Sequence, residues 1–116
     1  MVDIENLKPL IIEKLKSLQP DKIILFGSFA YGIPNDESDI DLFILKDDLK
    51  KENIRKFELK AMKELRDIQR DYVTNGIDIL SAPTNEIYKR EDYFYKVDIL
   101  QNGKVWYERN LSKTVA

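Results

Sequence analysis

The chain contains no cysteine and no histidine. Disulfides, thiolate metal sites, cysteine nucleophiles and imidazole acid–base chemistry are therefore excluded, and a metal in this protein would be held by oxygen. No apolar run approaches the ~18 residues of a membrane span, and the N-terminus lacks a basic stretch followed by an apolar one. No membrane segment or signal peptide is expected, which makes the cytoplasm the expected location. Excess positive charge is missing as well: the formal net charge is −2, the sequence pI is near 5.2, and Lys and Arg are spread along the chain. Without an extended basic footprint, a long nucleic acid is not an expected partner. There is no internal repeat, low-complexity tract or linker. Carboxylates remain as the obvious catalytic groups.

At 116 residues the chain is long enough for one core and too short for a nucleotide site plus a separate acceptor domain. Ile4, Leu7, Leu10, Ile11, Leu15 and Leu18 recur at helical spacing and predict a first helix that ends before Pro20. Lys22 to Phe26 reads as a strand, Ile40 to Leu45 as a second, and the stretch around Asp36 as the loop between them. A charged helix over about Lys50 to Tyr72 follows, with Ile54, Phe57, Ala61, Met62, Leu65 and Ile68 as its apolar stripe. Asn75-Gly76 breaks the chain before a third strand, Ile77 to Ser81, which Pro83 closes. A last helix is predicted over Glu86 to Gln101, with Phe94 and Val97 in the core and Asn102-Gly103 as its stop. Val105-Trp106-Tyr107 forms a short final strand. This order predicts an α+β domain over residues 1–108, a small mixed β-sheet with helices packed on one side, and a fraying tail over 109–116.

Chemistry concentrates in Gly27-Ser28 and in Asp39-Ile40-Asp41. A turn at Gly27, which has no Cβ, lets an anion approach the backbone, and Ser28 offers both a hydroxyl and an N–H. A short helix starting at Phe29-Ala30-Tyr31 would point free N–H groups at the same anion. Along a strand, Asp39 and Asp41 share one face while Ile40 and Leu42 take the other, with Cα atoms roughly 6.6 Å apart. That separation suits a pair of divalent ions about 3.5–4 Å apart. Oxygen ligands favour Mg²⁺, which keeps waters and takes its remaining ligands from substrate phosphates. If each of these four positions were filled at about 6%, the pattern would arise by chance in roughly one in a thousand chains of this length. Aspartate is also depleted in strands, and like charges on one face repel, so a merely solvated strand face is a poor account.

Gly27-Ser28, the ten-residue spacer Phe29 to Ser38 and Asp39-x-Asp41 resemble the core motif of the nucleotidyltransferase superfamily with the polymerase-beta-like fold, closest to its minimal nucleotidyltransferase (MNT) branch. The resemblance implies a third carboxylate from a later strand, and Asp78, within Ile77-Asp78-Ile79-Leu80, is the match. It further implies that Gly27 and Ser28 bind the nucleotide and that Asp39, Asp41 and Asp78 hold two Mg²⁺ ions. An acceptor hydroxyl would then attack the α-phosphate of ATP and release pyrophosphate. Three converging carboxylates should repel in the metal-free protein and have raised pKa values. One departure stands out: many members carry a basic residue where this chain has Tyr31. Lys22, Lys46 and Arg90 are substitutes by residue type alone.

Minimal members of this kind are commonly paired with a helical HEPN-type RNase toxin, which they silence by moving AMP onto a tyrosine. The resemblance thus implies a Mg²⁺-dependent protein adenylyltransferase that acts as an antitoxin, in a hetero-oligomer with its toxin. Two alternatives stay open: an antitoxin that inhibits by occlusion without catalysis, and an enzyme that modifies a small-molecule hydroxyl such as that of an aminoglycoside.

Overall fold

The computed structural model describes residues 3–72 and 75–109. The first helix, α1 (Ile4–Lys16), opens on Asp3, whose carboxylate accepts the N–H of Asn6 and caps a free donor of the first turn. Leu7, Ile11 and Leu15 form its buried face. Gln19, with φ of 56°, turns the chain into β1 (Lys22–Phe26). A short helix α2 (Ser28–Tyr31), strand β2 (Ile40–Leu45), helices α3 (Ile54–Glu64) and α4 (Arg66–Tyr72), strand β3 (Ile77–Ala82), helix α5 (Thr84–Ile87), a π-helix (Phe94–Gln101) and strand β4 (Lys104–Glu108) complete the order. The predicted strands hold, with β3 and β4 slightly longer than expected.

The four strands form one mixed sheet in the order β3-β2-β1-β4, with β1 antiparallel to β2 and β4 and with β2 parallel to β3. Alternation divides the strand residues between two cores. Ile23, Leu25, Ile40, Leu42, Ile44, Ile77 and Ile79 pack with α1, α3 and α4 on one face. Ile24, Phe26, Phe43 and Leu45 pack with Ile87 and Ile99 on the other. The long helices thus lie on one side as expected, and the C-terminal helical segments cover part of the opposite face.

Two helices depart from their predicted form. The helix expected over Lys50 to Tyr72 is a 3₁₀ turn (Lys51–Asn53) followed by α3 and α4, broken at Leu65, whose φ of −95° and ψ of 4° leave the helical region. The Leu65 N–H is shared between the carbonyls of Ala61 and Met62, and its side chain is fully buried, so the break seats Leu65 and lets Ile68 reach the core. The helix expected over Glu86 to Gln101 is interrupted between Ile87 and Phe94 and continues as a π-helix. A π-helix bonds i to i+5, which brings Phe94 above Ile99 and Tyr95 above Leu100, all four in the second core. Phe94 meets Phe26 edge-on at 5.7 Å between ring centroids, and Tyr95 meets Phe43 at 5.9 Å. Val97, expected in the core at α-helical spacing, is only half-buried, and Ile99 takes that role. Residues 110–116, nearly all of the predicted tail, lie outside the described residues.

Candidate active site

Strand β1 ends against Gly27, which has φ of 76° and ψ of −159°, a conformation that favours glycine. A Cβ at this position would collide with the carboxylate of Asp41. The Gly27 carbonyl accepts the N–H groups of Ala30 and Tyr31 and starts α2, whose Phe29 and Ala30 are buried in the first core while Ser28 stays half-buried at the turn. Burial on one side of this one-turn helix fixes the Gly27-Ser28 turn beside Asp41.

Asp39 lies one residue before β2 rather than inside it, and Asp41 is the second residue of the strand. The Asp39 carboxylate accepts the N–H of Gly76 at 3.0 Å, while Ile40 donates its N–H to the Gly76 carbonyl at 3.0 Å. These two bonds tie the start of β2 to the start of β3. A Cβ at Gly76 would meet the Asp39 carboxylate at 3.4 Å, an ordinary contact distance. The loop before Asp39 is held by its own polar groups: Asn35 donates its N–H to the Ser38 hydroxyl at 2.9 Å, and Asn75 donates to the Asp36 carbonyl at 2.6 Å.

In the parallel β2/β3 pair, Asp41 and Asp78 are direct register partners, so two carboxylates project from one sheet face on strands about 4.8 Å apart. Asp39 and Asp41 are half-buried and Asp78 is exposed. Burial, the neighbouring charges of Asp78 and Asp39, and a hydrogen bond to Asp78 raise the Asp41 pKa from the usual 3.8 to about 6. Asp78 is raised as well, first by burial, then by the charge of Asp39 and a hydrogen bond to it. The expected repulsion is therefore present, and a cation would relieve it. Among the described residues, no three acidic side chains close tightly enough to hold an ion unaided. Such an open acidic site fits Mg²⁺, which takes ligands from one or two carboxylates, waters and substrate phosphates.

The three cations considered as substitutes for the charge missing at Tyr31 are engaged elsewhere. Lys22, at the far end of β1, bonds the Tyr88 hydroxyl and pairs with Glu108 at 2.8 Å. Lys46 follows β2 and pairs with Asp48 at 3.1 Å. Arg90 stacks on the Tyr95 ring at 4.8 Å. It lines a cleft of about 740 Å³ along β3, together with Phe43, Leu80, Tyr95, Lys51 and Lys89. Phe43 and Leu80 each stand two residues after a carboxylate on the same face, so the cleft continues the floor on which Asp41 and Asp78 sit. The sequence reading does not anticipate this cleft: Tyr95, which lines it, falls in the segment expected only as part of the last helix, with Phe94 and Val97 in the core. It also missed Glu58, a buried carboxylate that accepts the Ser81 hydroxyl at 3.0 Å, because it lies in a helix dense with exposed charge.

Residues 9–112 match the family model described as polymerase beta, nucleotidyltransferase. A search of curated proteins finds no match. Among solved structures, a toxin-antitoxin crystallised with AMP-PNP is similar with a TM-score of 0.57 and 21% identity, over 93% of this chain and 78% of that one. A mutant of the toxin-antitoxin MntA-HpeT, with two aspartates two positions apart changed to glutamate, is similar with a TM-score of 0.55 and 17% identity, over 93% and 78% of the two chains. The likeness is one of fold. The chain belongs to the polymerase beta nucleotidyltransferase family.

Proposed function

We propose that this nucleotidyltransferase is Mg²⁺-dependent and moves AMP from ATP onto a tyrosine hydroxyl of a HEPN-type RNase toxin, so acting as that toxin's antitoxin. The observation that carries the reading is the pairing of Asp41 with Asp78 across adjacent strands, with Asp39 and the Gly27-Ser28 turn at the same end of the sheet. Gly27 and Ser28, at the β1 side, hold the phosphates that leave. Asp39 and Asp41 would hold one Mg²⁺ and, with Asp78, a second, and the exposure of Asp78 on the edge strand leaves that side open to an acceptor. Bound Mg²⁺ would neutralise phosphate charge and lower the pKa of the acceptor hydroxyl. The tyrosine oxygen forms the new bond to the α-phosphorus as the bond to the bridging oxygen breaks. The hydroxyl proton is released, and pyrophosphate leaves with the electron pair. With no histidine or cysteine in the chain, the residues contribute by position and charge.

The resemblance in fold to toxin-antitoxin structures, one of them crystallised with AMP-PNP, supports the nucleotide and the toxin partner. No helix among the described residues is long and apolar enough to cross a membrane, and a cytoplasmic site of action goes with this reading. The test is toxin neutralisation in cells by wild type and by an Asp39→Asn, Asp41→Asn double variant shown to fold. Loss of neutralisation in the variant is expected. Full neutralisation by it would replace catalysis with inhibition by occlusion.

A further inference from the structure

The cleft beside β3 runs along an unpaired strand edge. The Gly76 carbonyl accepts the N–H of Ile40, and the Ala82 carbonyl accepts the N–H of Lys46 at 3.2 Å. These two bonds fix the phase of the ladder, so the even-numbered residues of β3 direct their main-chain groups toward β2. Ile79 and Ser81 direct their N–H and C=O groups away from the sheet, and among the described residues nothing bonds to them. Below this edge stands α3, which contributes Lys51 (from the turn before it), Ile54 and Glu58; above it stand Lys89, Arg90 and Tyr95. The edge thus forms the floor of a slot between two walls.

Unprotected strand edges invite pairing, and proteins blunt them with charge, proline or a cover. The opposite edge, β4, carries exposed Lys104 and Glu108 at its ends. Between Asp78 and Pro83, by contrast, β3 reads Ile79-Leu80-Ser81-Ala82 with no charged residue, and Leu80 is 39% exposed in the cleft. The charges lie on the walls instead and are mostly positive. Lys51, Lys89 and Arg90 are exposed there, against Glu86 and the Asp92 carboxylate 3.9 Å from Arg90, while Glu58 is committed to Ser81 and Arg55.

We infer that the free edge of β3 receives an extended, acidic segment of the acceptor protein as a fifth strand, and that this pairing delivers the acceptor hydroxyl to Asp78. The inference rests on the protein-acceptor reading given above. A strand added at this edge places one side chain directly beside Asp78 and on the same face, at the ≈ 5 Å separation of cross-strand neighbours. Main-chain bonds to Ile79 and Ser81 supply affinity independent of sequence, and Lys51, Lys89 and Arg90 select acidic flanks. Leu80, exposed in the cleft, gives the arriving tyrosine ring an apolar contact.

The probe is an unstructured random copolymer of glutamate and tyrosine, with a lysine–tyrosine copolymer as control. Amide hydrogen exchange is measured on the full chain carrying Asp39→Asn and Asp41→Asn, so that docking is read without transfer, and label transfer from α-labelled ATP is measured separately with wild type. The expected result is slowed exchange at the Ile79 and Ser81 amides with the acidic copolymer and not with the basic one. Adding Lys89→Glu and Arg90→Glu should weaken this binding by about tenfold, the scale of two reversed rim charges. Absence of protection at these two amides, or equal protection by both copolymers, overturns the inference. Protection of these amides without label on the copolymer upholds the docking edge and counts against protein transfer. Label without protection upholds transfer and refutes the edge.

Discussion

Replacing Asp41 with asparagine should make the metal-free protein more stable while destroying its site. Asp41 titrates near 6 in the folded chain against an ordinary 3.8, because burial and the charges of Asp78 and Asp39 disfavour its ionised form. A raised carboxylate means that the folded state binds more protons than the unfolded one between these two values. Stability from this source is complete below pH 3.8 and is lost as pH rises through about 6. The full shift corresponds to about 3 kcal/mol. Asp41 is only half-buried, so solvent screening reduces the expected loss to about 1 kcal/mol at neutral pH. Asparagine has the same shape beside Gly27 and no charge. Thermal unfolding at pH 7.5 without metal should therefore show the variant melting roughly 3–6 °C above wild type, with the difference shrinking toward zero near pH 4. Adding Mg²⁺ should raise the wild-type midpoint and leave the variant's unchanged. A variant equal to or below wild type at pH 7.5, or a difference independent of pH, would refute the reasoning.

Further predictions concern the neighbouring positions. Gly27→Ala combines a left-handed backbone angle with a Cβ against the Asp41 carboxylate, so it should cost about 1 kcal/mol or more in denaturant unfolding and abolish AMP transfer. Asp78→Asn should leave binding of a fluorescent ATP analogue within a few-fold of wild type while transfer falls on the order of a hundredfold; equal losses in both would place Asp78 in nucleotide binding instead. Arg109→Ala strands the buried Asp21 carboxylate, which now receives the guanidinium at 2.6 Å, the Thr84 hydroxyl at 2.7 Å and the Asp47 N–H at 2.7 Å. Urea unfolding should show a loss of roughly 2–4 kcal/mol, smaller than for a fully buried pair because Arg109 is partly exposed. An effect below about 0.5 kcal/mol would show that the pair is no staple for the chain end after β4.

The strands were legible because each is a short apolar run between turn residues: β1 and β2 have the bounds that Pro20, Gly27 and Lys46 imply. Asp39 and Asp41 were legible for a related reason, since aspartates beside such a run conflict with strand chemistry unless something charged binds them, whereas Asp78 was reached only through the third carboxylate that the family resemblance implies. The helix break at Leu65 left no mark, as neither glycine nor proline is present and a buried leucine fits a continuous stripe equally well. The π-helix was misread through its period. Phe94 with Ile99 and Tyr95 with Leu100 repeat at five residues, a spacing that an α-helical template discards. The cleft was invisible because its walls come from β2, β3, α3 and the π-helix, which meet only once the sheet order is known.

The central claim is that the chain modifies its partner covalently through the acidic corner. The most direct measurement is the intact mass of the purified toxin partner after incubation with this protein, Mg²⁺ and ATP, followed by mapping of the modified residue. The account predicts a mass increase of one or more AMP units on a tyrosine with wild type and none with the Asp39→Asn, Asp41→Asn variant. A partner that is fully neutralised yet unchanged in mass would contradict it.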